Sequence, residues 1–231
     1  MRIRKIVISA AIMAGIITVN SSVAAAAASR QGRMSGPAAA TIIKSDDFAG
    51  YSTGAGTDVV KATIKVPQAT CSSSSGLYFF SPGVYVLGPS GVTGGGLNVT
   101  CDGGSLTYQA QVDINSGPQD VLFTINPGDT ITVTASETVA GATVTVKDLT
   151  SKASGTDTGA GDGVTSTLVG AYASPPIPTF TKASFSKVTV GSTGLGSNNP
   201  VELEMVSGTL VLMAPNAISN GKSFAVLLKN S

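Results

Sequence analysis

The sequence predicts an all-β chain folded as two packed antiparallel sheets, and three observations carry that reading. Apolar and polar residues alternate with period two in segment after segment, as strands with one buried face require. Ser, Thr and Gly supply 82 of 231 residues, a composition suited to short strands joined by tight turns. No segment carries a helical apolar stripe of useful length.

The N-terminus stands apart from this pattern. Arg2, Arg4 and Lys5 precede the apolar run Ile6 to Val19, which is followed by small residues and an alanine tract. A basic start, a short apolar stretch and small residues describe a secretory signal peptide, expected over residues 1–28 with cleavage between Ala24 and Ala28. The run is too short for a spanning helix, and no later segment is long or apolar enough to cross a membrane. Residues 29–56, rich in Ala, Gly and Ser, read as a flexible leader ending at most in an edge strand. Residues 57–231 then form a single β-sandwich domain.

Within that domain Val60, Ala62, Ile64 and Val66 alternate with Lys61, Thr63 and Lys65 until Pro67 ends the run. Leu77 to Leu87 is a denser apolar stretch, expected to break at Ser81-Pro82-Gly83. Tyr108, Ala110, Val112 and Ile114 alternate with Gln109, Gln111, Asp113 and Asn115. Val121–Ile125 and Thr130–Ala135 flank Asn126-Pro127-Gly128-Asp129, whose central Pro-Gly is the chemistry of a type II turn. Ala142, Val144 and Val146 give another strand. Further strands are expected at Ser166–Ala171, Phe180–Val190, Val201–Val206, Thr209–Met213 and Phe224–Leu228. The Gly-rich stretches Gly94–Gly96 and Gly159–Gly163 read as loops. Neither continues into the Lys-Ser/Thr of a phosphate-binding loop.

Composition excludes much chemistry. With no His there is no Ser-His-Asp triad, no Cys-His pair and no His-ligated metal. No cofactor and no metal site is expected; Asp157 with Asp162 could hold calcium, but the segment reads better as a polar turn. Removing residues 1–28 takes three of 14 basic residues and none of 13 acidic ones, leaving a formal charge of −2. Only Arg30 and Arg33 remain as arginines, so nucleic acid is not an expected partner. Cys71 and Cys101 lie 30 positions apart in an exported chain and read as one disulfide, with two buried free thiols as the alternative. Few groups should titrate between pH 3 and 8, so stability is expected to vary little there.

The run Phe123 to Ala135 followed by Gly141 to Thr150 resembles the central hairpins of the eqolisins, the secreted glutamic peptidases. There an "I-x-x-G-D-x-I-x-V-T" strand pair leads to "G-x-A-T-V-x-N-L-T". Ala62-Thr-Ile-Lys-Val-Pro67 is similar to the family's opening "A-T-W-x-V-P" strand. Tyr108 to Asn115 sits where the family has "Y-x-A-W-Y-E-W-Y", and Phe180 to Val190 resembles its late "F-G-x-V-x-F" strand. Order and spacing agree over residues 57–229. The resemblance implies a concanavalin-like β-sandwich with a groove across one concave sheet. It also implies acid endopeptidase chemistry, in which a glutamate activates water and a glutamine amide holds the oxyanion.

The sequence departs from the family at both catalytic places. The glutamine should fall within Gly94–Asn98, which holds none; Asn98 offers a shorter amide. The glutamate of "A-E-W-I-V-E" matches Thr167 within Ser166–Ala171, and a hydroxyl is no carboxylate base. On the groove strand, Gln111 stands for a Trp and Asp113 for a Glu, so Gln109, Gln111, Asp113 and Asn115 would present amides and a carboxylate on one face. With Asn98 and Thr167 they are the candidate ligand-binding residues. Two S-x-x-K spacings, Ser184 to Lys187 and Ser219 to Lys222, fall in a strand and beside a turn, where no helix pairs nucleophile with base. Glu202 and Glu204 alternate on one strand at a spacing glycosidases could use, without further support.

The sequence therefore leads to a secreted, eqolisin-like sandwich without peptidase activity that binds extracellular polysaccharide or peptide at a concave sheet. An acid endopeptidase working through Asp113 is the first alternative and a structural or surface-coat protein the second.

Overall fold

The computed structural model describes residues 41–54, 57–71 and 75–229. The expected signal peptide and the first part of the leader lie outside them. In chain order the strands are β1 (Ile42–Ser45), β2 (Phe48–Gly54), β3 (Val59–Lys65), β4 (Ala69–Thr70), β5 (Leu77–Leu87), β6 (Val92–Asp102), β7 (Ser105–Asp113), β8 (Asp120–Thr124) and β9 (Thr130–Thr138). They continue as β10 (Gly141–Asp148), β11 (Ser154–Gly159), β12 (Ser166–Ala173), β13 (Thr179–Phe180), β14 (Ala183–Val190), β15 (Thr193–Gly194), β16 (Val201–Ser207), β17 (Leu210–Pro215) and β18 (Phe224–Leu228).

Hydrogen bonding runs through the order β11-β10-β9-β3-β14-β18-β17-β16-β2-β12-β5-β6-β7-β8. Neighbours are antiparallel, and β1 adds to β16 in parallel. The run doubles back, so β5, β6 and β7 pack face to face on β3, β9 and β10. The result is the expected two-layer β-sandwich.

Alternation puts the core where the sequence places it. Val60, Ala62 and Ile64 on β3 meet Ala135, Val133 and Ile131 on β9, and all are buried. Each such Ile or Val contributes about 1.5–3 kcal/mol of burial. The Pro127-Gly128 turn forms as expected: Gly128 has φ 87° and the Asp129 N–H donates to the Asn126 carbonyl at 3.1 Å. Cys71 and Cys101 form the disulfide with Cα atoms 5.7 Å apart, which contributes about 3–4 kcal/mol in the chain-entropy account.

Several boundaries differ from the expectation. Residues 42–54 carry β1 and β2, so the expected leader over residues 29–56 gives way by Ile42 to strand. Phe48, Ala49 and Tyr51 are buried, and β2 lies between β16 and β12; its small residues conceal the alternation. Gly94–Gly96 is the middle of β6, a strand interior and no loop. Leu77 to Leu87 runs unbroken through Pro82, and the ladder to β6 skips from Phe80↔Val99 to Gly83↔Gly96 because Pro has no N–H to give. The expected Phe180–Val190 strand divides at Thr181–Lys182. The polar edge strand β11 has no apolar run to announce it.

Candidate functional site

The sheet portion β2-β12-β5-β6-β7 buries one face against the second layer. Its other face is the one the eqolisin resemblance makes the groove. Register sets three rows of side chains across that outer face. One runs Phe48, Tyr172, Ser81, Asn98, Gln109; the next Gly50, Gly170, Gly83, Gly96, Gln111; the third Ser52, Leu168, Tyr85, Gly94, Asp113.

The middle row is four glycines in register on four adjacent strands. A Cβ on Gly170 would lie 2.2 Å from the Ala49 carbonyl oxygen and 2.7 Å from Phe48 Cζ. One on Gly83 would lie 2.7 Å from the Tyr85 hydroxyl oxygen. The strip is bare so that rings from the flanking rows can lie down on it. Phe48 and Tyr172 centroids are 4.8 Å apart, and so are those of Tyr85 and Tyr172, each pair edge to face. With Leu168 these side chains make a small second core on the outer face, packed against Leu87, Val92 and Leu203.

Polar groups line the β6–β7 side of this cluster. Ser81 Oγ donates to Asn98 Oδ1 at 2.8 Å, and Asn98 Nδ2 donates to Gln111 Oε1 at 2.8 Å. The relay fixes both amides and leaves Gln111 Nε2 as its terminal donor. Beyond Gly94, whose missing side chain lets the Tyr85 ring cross, stands Asp113. Its Oδ1 is buried and unpartnered. Burial pushes this carboxyl up to about 6, against the opposing pull of the Gly117 N–H. Burial also raises the Tyr85 phenol, with a smaller push from Asp113. Asp113 is therefore a neutral hydrogen-bond donor in acid and an anion above pH 6.

The expected site residues separate on this surface. Asn98, Gln111 and Asp113 come together. Gln109 faces outward beside them and lines a crevice of about 300 Å³ between Leu106–Gln109 and Thr124–Pro127. Asn115 lies past the strand end with φ 53°, bonded to Thr93 and to the Ala160 carbonyl; it ties loops together and does not face the groove. Thr167 must also be corrected. It is 1% exposed on the core side, its hydroxyl 2.7 Å from that of Thr53. The outward residues of β12 are Ser166, Leu168, Gly170 and Tyr172.

Sequence reasoning did not find the aromatic cluster, because Phe48 lay in the presumed leader and glycine gives no hydropathy signal. Nor did it find a second acidic site at the end of the sandwich. Buried Glu137 accepts from the Asp162 N–H through Oε1 at 3.1 Å, and its Oε2 and Asp162 Oδ1 are buried without another partner, two carboxyls close enough to share a proton. Asp162 also accepts from the Ser90 N–H. Burial, then Asp162, holds the Glu137 carboxyl above its ordinary range, while the bond from Glu137 holds Asp162 below its own. Glu137 keeps the proton, and the pair fastens the 160–163 segment. Among the described residues no three Asp, Glu or Cys side chains gather as metal ligands.

No protein-family model matches the sequence, and no curated protein matches it. Solved structures do match the fold. Scytalido-glutamic peptidase with a transition state analog inhibitor aligns at TM-score 0.64 and 16% identity, over 80% of this chain and 98% of its own. SCP-B, a member of the eqolisin family of peptidases in a complex with the tripeptide Ala-Ile-His, gives 0.59 and 16% over the same shares. Aspergilloglutamic peptidase from Aspergillus niger gives 0.55 and 20%, over 66% of this chain and 99% of its own. These matches support the resemblance found in the sequence, and the chain has the eqolisin fold.

Proposed function

We propose that this chain is a secreted relative of the glutamic peptidases that has given up peptide hydrolysis and binds extracellular polysaccharide or peptide on the outer face of β2-β12-β5-β6-β7. The observation that carries the reading is the fixed relay Ser81–Asn98–Gln111, set beside Asp113 and the partly exposed Tyr172 ring. Amides held in place, a half-buried carboxyl and a ring to stack on are the groups that hydroxyl-rich or peptide ligands engage. The glutamic mechanism asks for a carboxylate base and a glutamine amide. On this face β6 offers Gly94, Gly96 and Asn98, and β12 offers Ser166, Leu168, Gly170 and Tyr172. The apolar start of the chain and the disulfide support export.

A second reading rests on Asp113 itself. A carboxyl held up to about 6 with an unpartnered oxygen suits an acid hydrolase. Incubation of the mature protein with denatured casein between about pH 2 and pH 5 separates the two. No cleavage, together with glycan-array or peptide binding weakened at least tenfold by Gln111→Ala, is the expected result. Cleavage abolished by Asp113→Asn would establish the enzyme instead.

A further inference from the structure

The second layer has an outer face of different character. On β11, β10, β9, β3 and β14 the outward positions are Ser or Thr apart from Val59, Gly141 and four lysines: Lys61, Lys65, Lys147 and Lys187. The carboxylates on these strands, Glu137, Asp148 and Asp157, all stand on the core-facing side, paired in register with Ala142, Ile131 and Val144. Among the described residues the four lysines have no ion-pair partner within 4 Å. Lys65 donates to the Gly128 carbonyl, which leaves its charge uncompensated.

Register gives the spacing. Lys61 lies opposite Thr134 and Lys65 opposite Thr130 on β9; Lys147 on β10 lies opposite Thr132, which faces Thr63 midway between the two β3 lysines. With strands about 4.8 Å apart and about 3.4 Å per residue, these three Cα atoms make a triangle with sides of about 12–14 Å. Lys187 rises at the bulge of β14 beside Lys61. Between the lysines run hydroxyl rows, with Thr145 and Thr156 oxygens 2.9 Å apart and those of Thr63 and Thr132 3.4 Å apart.

From this face we infer a second binding surface, for a linear anionic polysaccharide. Like charges with no carboxylate among them repel, and an extended anion relieves that repulsion. Flat rows of hydroxyls suit a polyhydroxylated chain laid across the strands. The face has no aromatic ring for base stacking and no arginine fork for phosphate, so it favours polysaccharide over nucleic acid. The surface lies on the other layer from Asn98, Gln111 and Asp113 and is independent of their role.

The test uses the mature protein with heparin as a sulfated chain, polygalacturonate as a carboxylated chain, neutral dextran and duplex DNA, at about 50 and 300 mM salt. Binding to heparin, polygalacturonate or both, but not to dextran, is expected, weakening as salt rises. A Lys61→Ala/Lys65→Ala/Lys147→Ala variant should lose at least tenfold in affinity with its thermal midpoint unchanged, whereas Gln111→Ala should leave this affinity as it was. Heparin against polygalacturonate tells whether sulfate or carboxylate is preferred. No binding to either anion, binding unchanged in the triple variant, or DNA binding as tight as polysaccharide would each overturn the proposal.

Discussion

Asp113→Asn tests the central physical feature of the candidate site. The folded protein holds the Asp113 proton up to about pH 6, against 3.8 for an ordinary aspartate. Its fold therefore favours the neutral form: the wild-type contribution is complete below pH 3.8, falls as pH rises toward 6 and stays low above. That displacement corresponds to about 3 kcal/mol at most, and water reaching the partly exposed carboxyl reduces it to about 1–2 kcal/mol. Asparagine is neutral at every pH and keeps a carbonyl for the Gly117 N–H. For a domain of this size, where 1 kcal/mol moves the midpoint by about 2–4 °C, the variant should gain about 3–6 °C over wild type between pH 3.5 and pH 8. Thermal unfolding followed by circular dichroism at the two pH values measures it, and no histidine titrates in between to confuse the comparison. A difference between variant and wild type that does not change with pH, or that favours wild type at pH 8, would refute the buried, unpartnered carboxyl.

Other outcomes follow from the same structure. Glu137→Gln keeps a neutral donor for Asp162 and removes a group that resists ionisation, so it should change stability little at pH 4 and raise the midpoint at pH 8, as thermal scans would show. Asp148 has the opposite sign. Its burial works against ionisation, but bonds from Ser151 Oγ and the Thr150 and Ser151 N–H groups, at 2.6, 2.7 and 3.2 Å, hold its carboxyl below the ordinary range. Asp148→Ala should cost about 2–3 kcal/mol in urea unfolding at pH 7, a difference that shrinks as pH falls through the aspartate range. Gly170→Ala should cost about 1–3 kcal/mol, since the added carbon meets the Ala49 carbonyl and the Phe48 ring; an unchanged midpoint would mean the glycine row is not tightly packed.

Much of the frame could be read from the chain. β3, β7, β9 and β10 follow directly from alternation, the turn at Pro127-Gly128 from its two residues, and the disulfide from two cysteines in a sequence that reads as exported. The site was harder for reasons that are physical. A strand's two faces differ by one residue, so matching Ser166–Ala171 to a family motif located β12 correctly and still put Thr167 on the wrong side of the sheet. The glycine row arises from segments spread from Gly50 to Gly170, and no local pattern reports that four of them share a register. Asp113 was visible as a groove candidate, but its behaviour was not. Burial holds its carboxyl up to about 6, inside the range where little titration was expected, and that burial is set by the pairing of strands and by no local pattern.

The glycine row also limits where a ligand can sit. Phe48, Tyr85 and Leu168 are 2%, 8% and 7% exposed, folded down over the bare strip. An extended chain crossing the middle of the face would have to lift them. Returning even two of these side chains to water costs about 3–6 kcal/mol, much of the free energy of a micromolar complex at about 8 kcal/mol. A ligand that leaves the rings in place meets Tyr172 on one side and Asn98, Gln111 and Asp113 on the other. Binding should therefore concentrate on the β6–β7 half. The loss of affinity on Gln111→Ala should then exceed that on Leu168→Ala, since the first removes a contact and the second only its support.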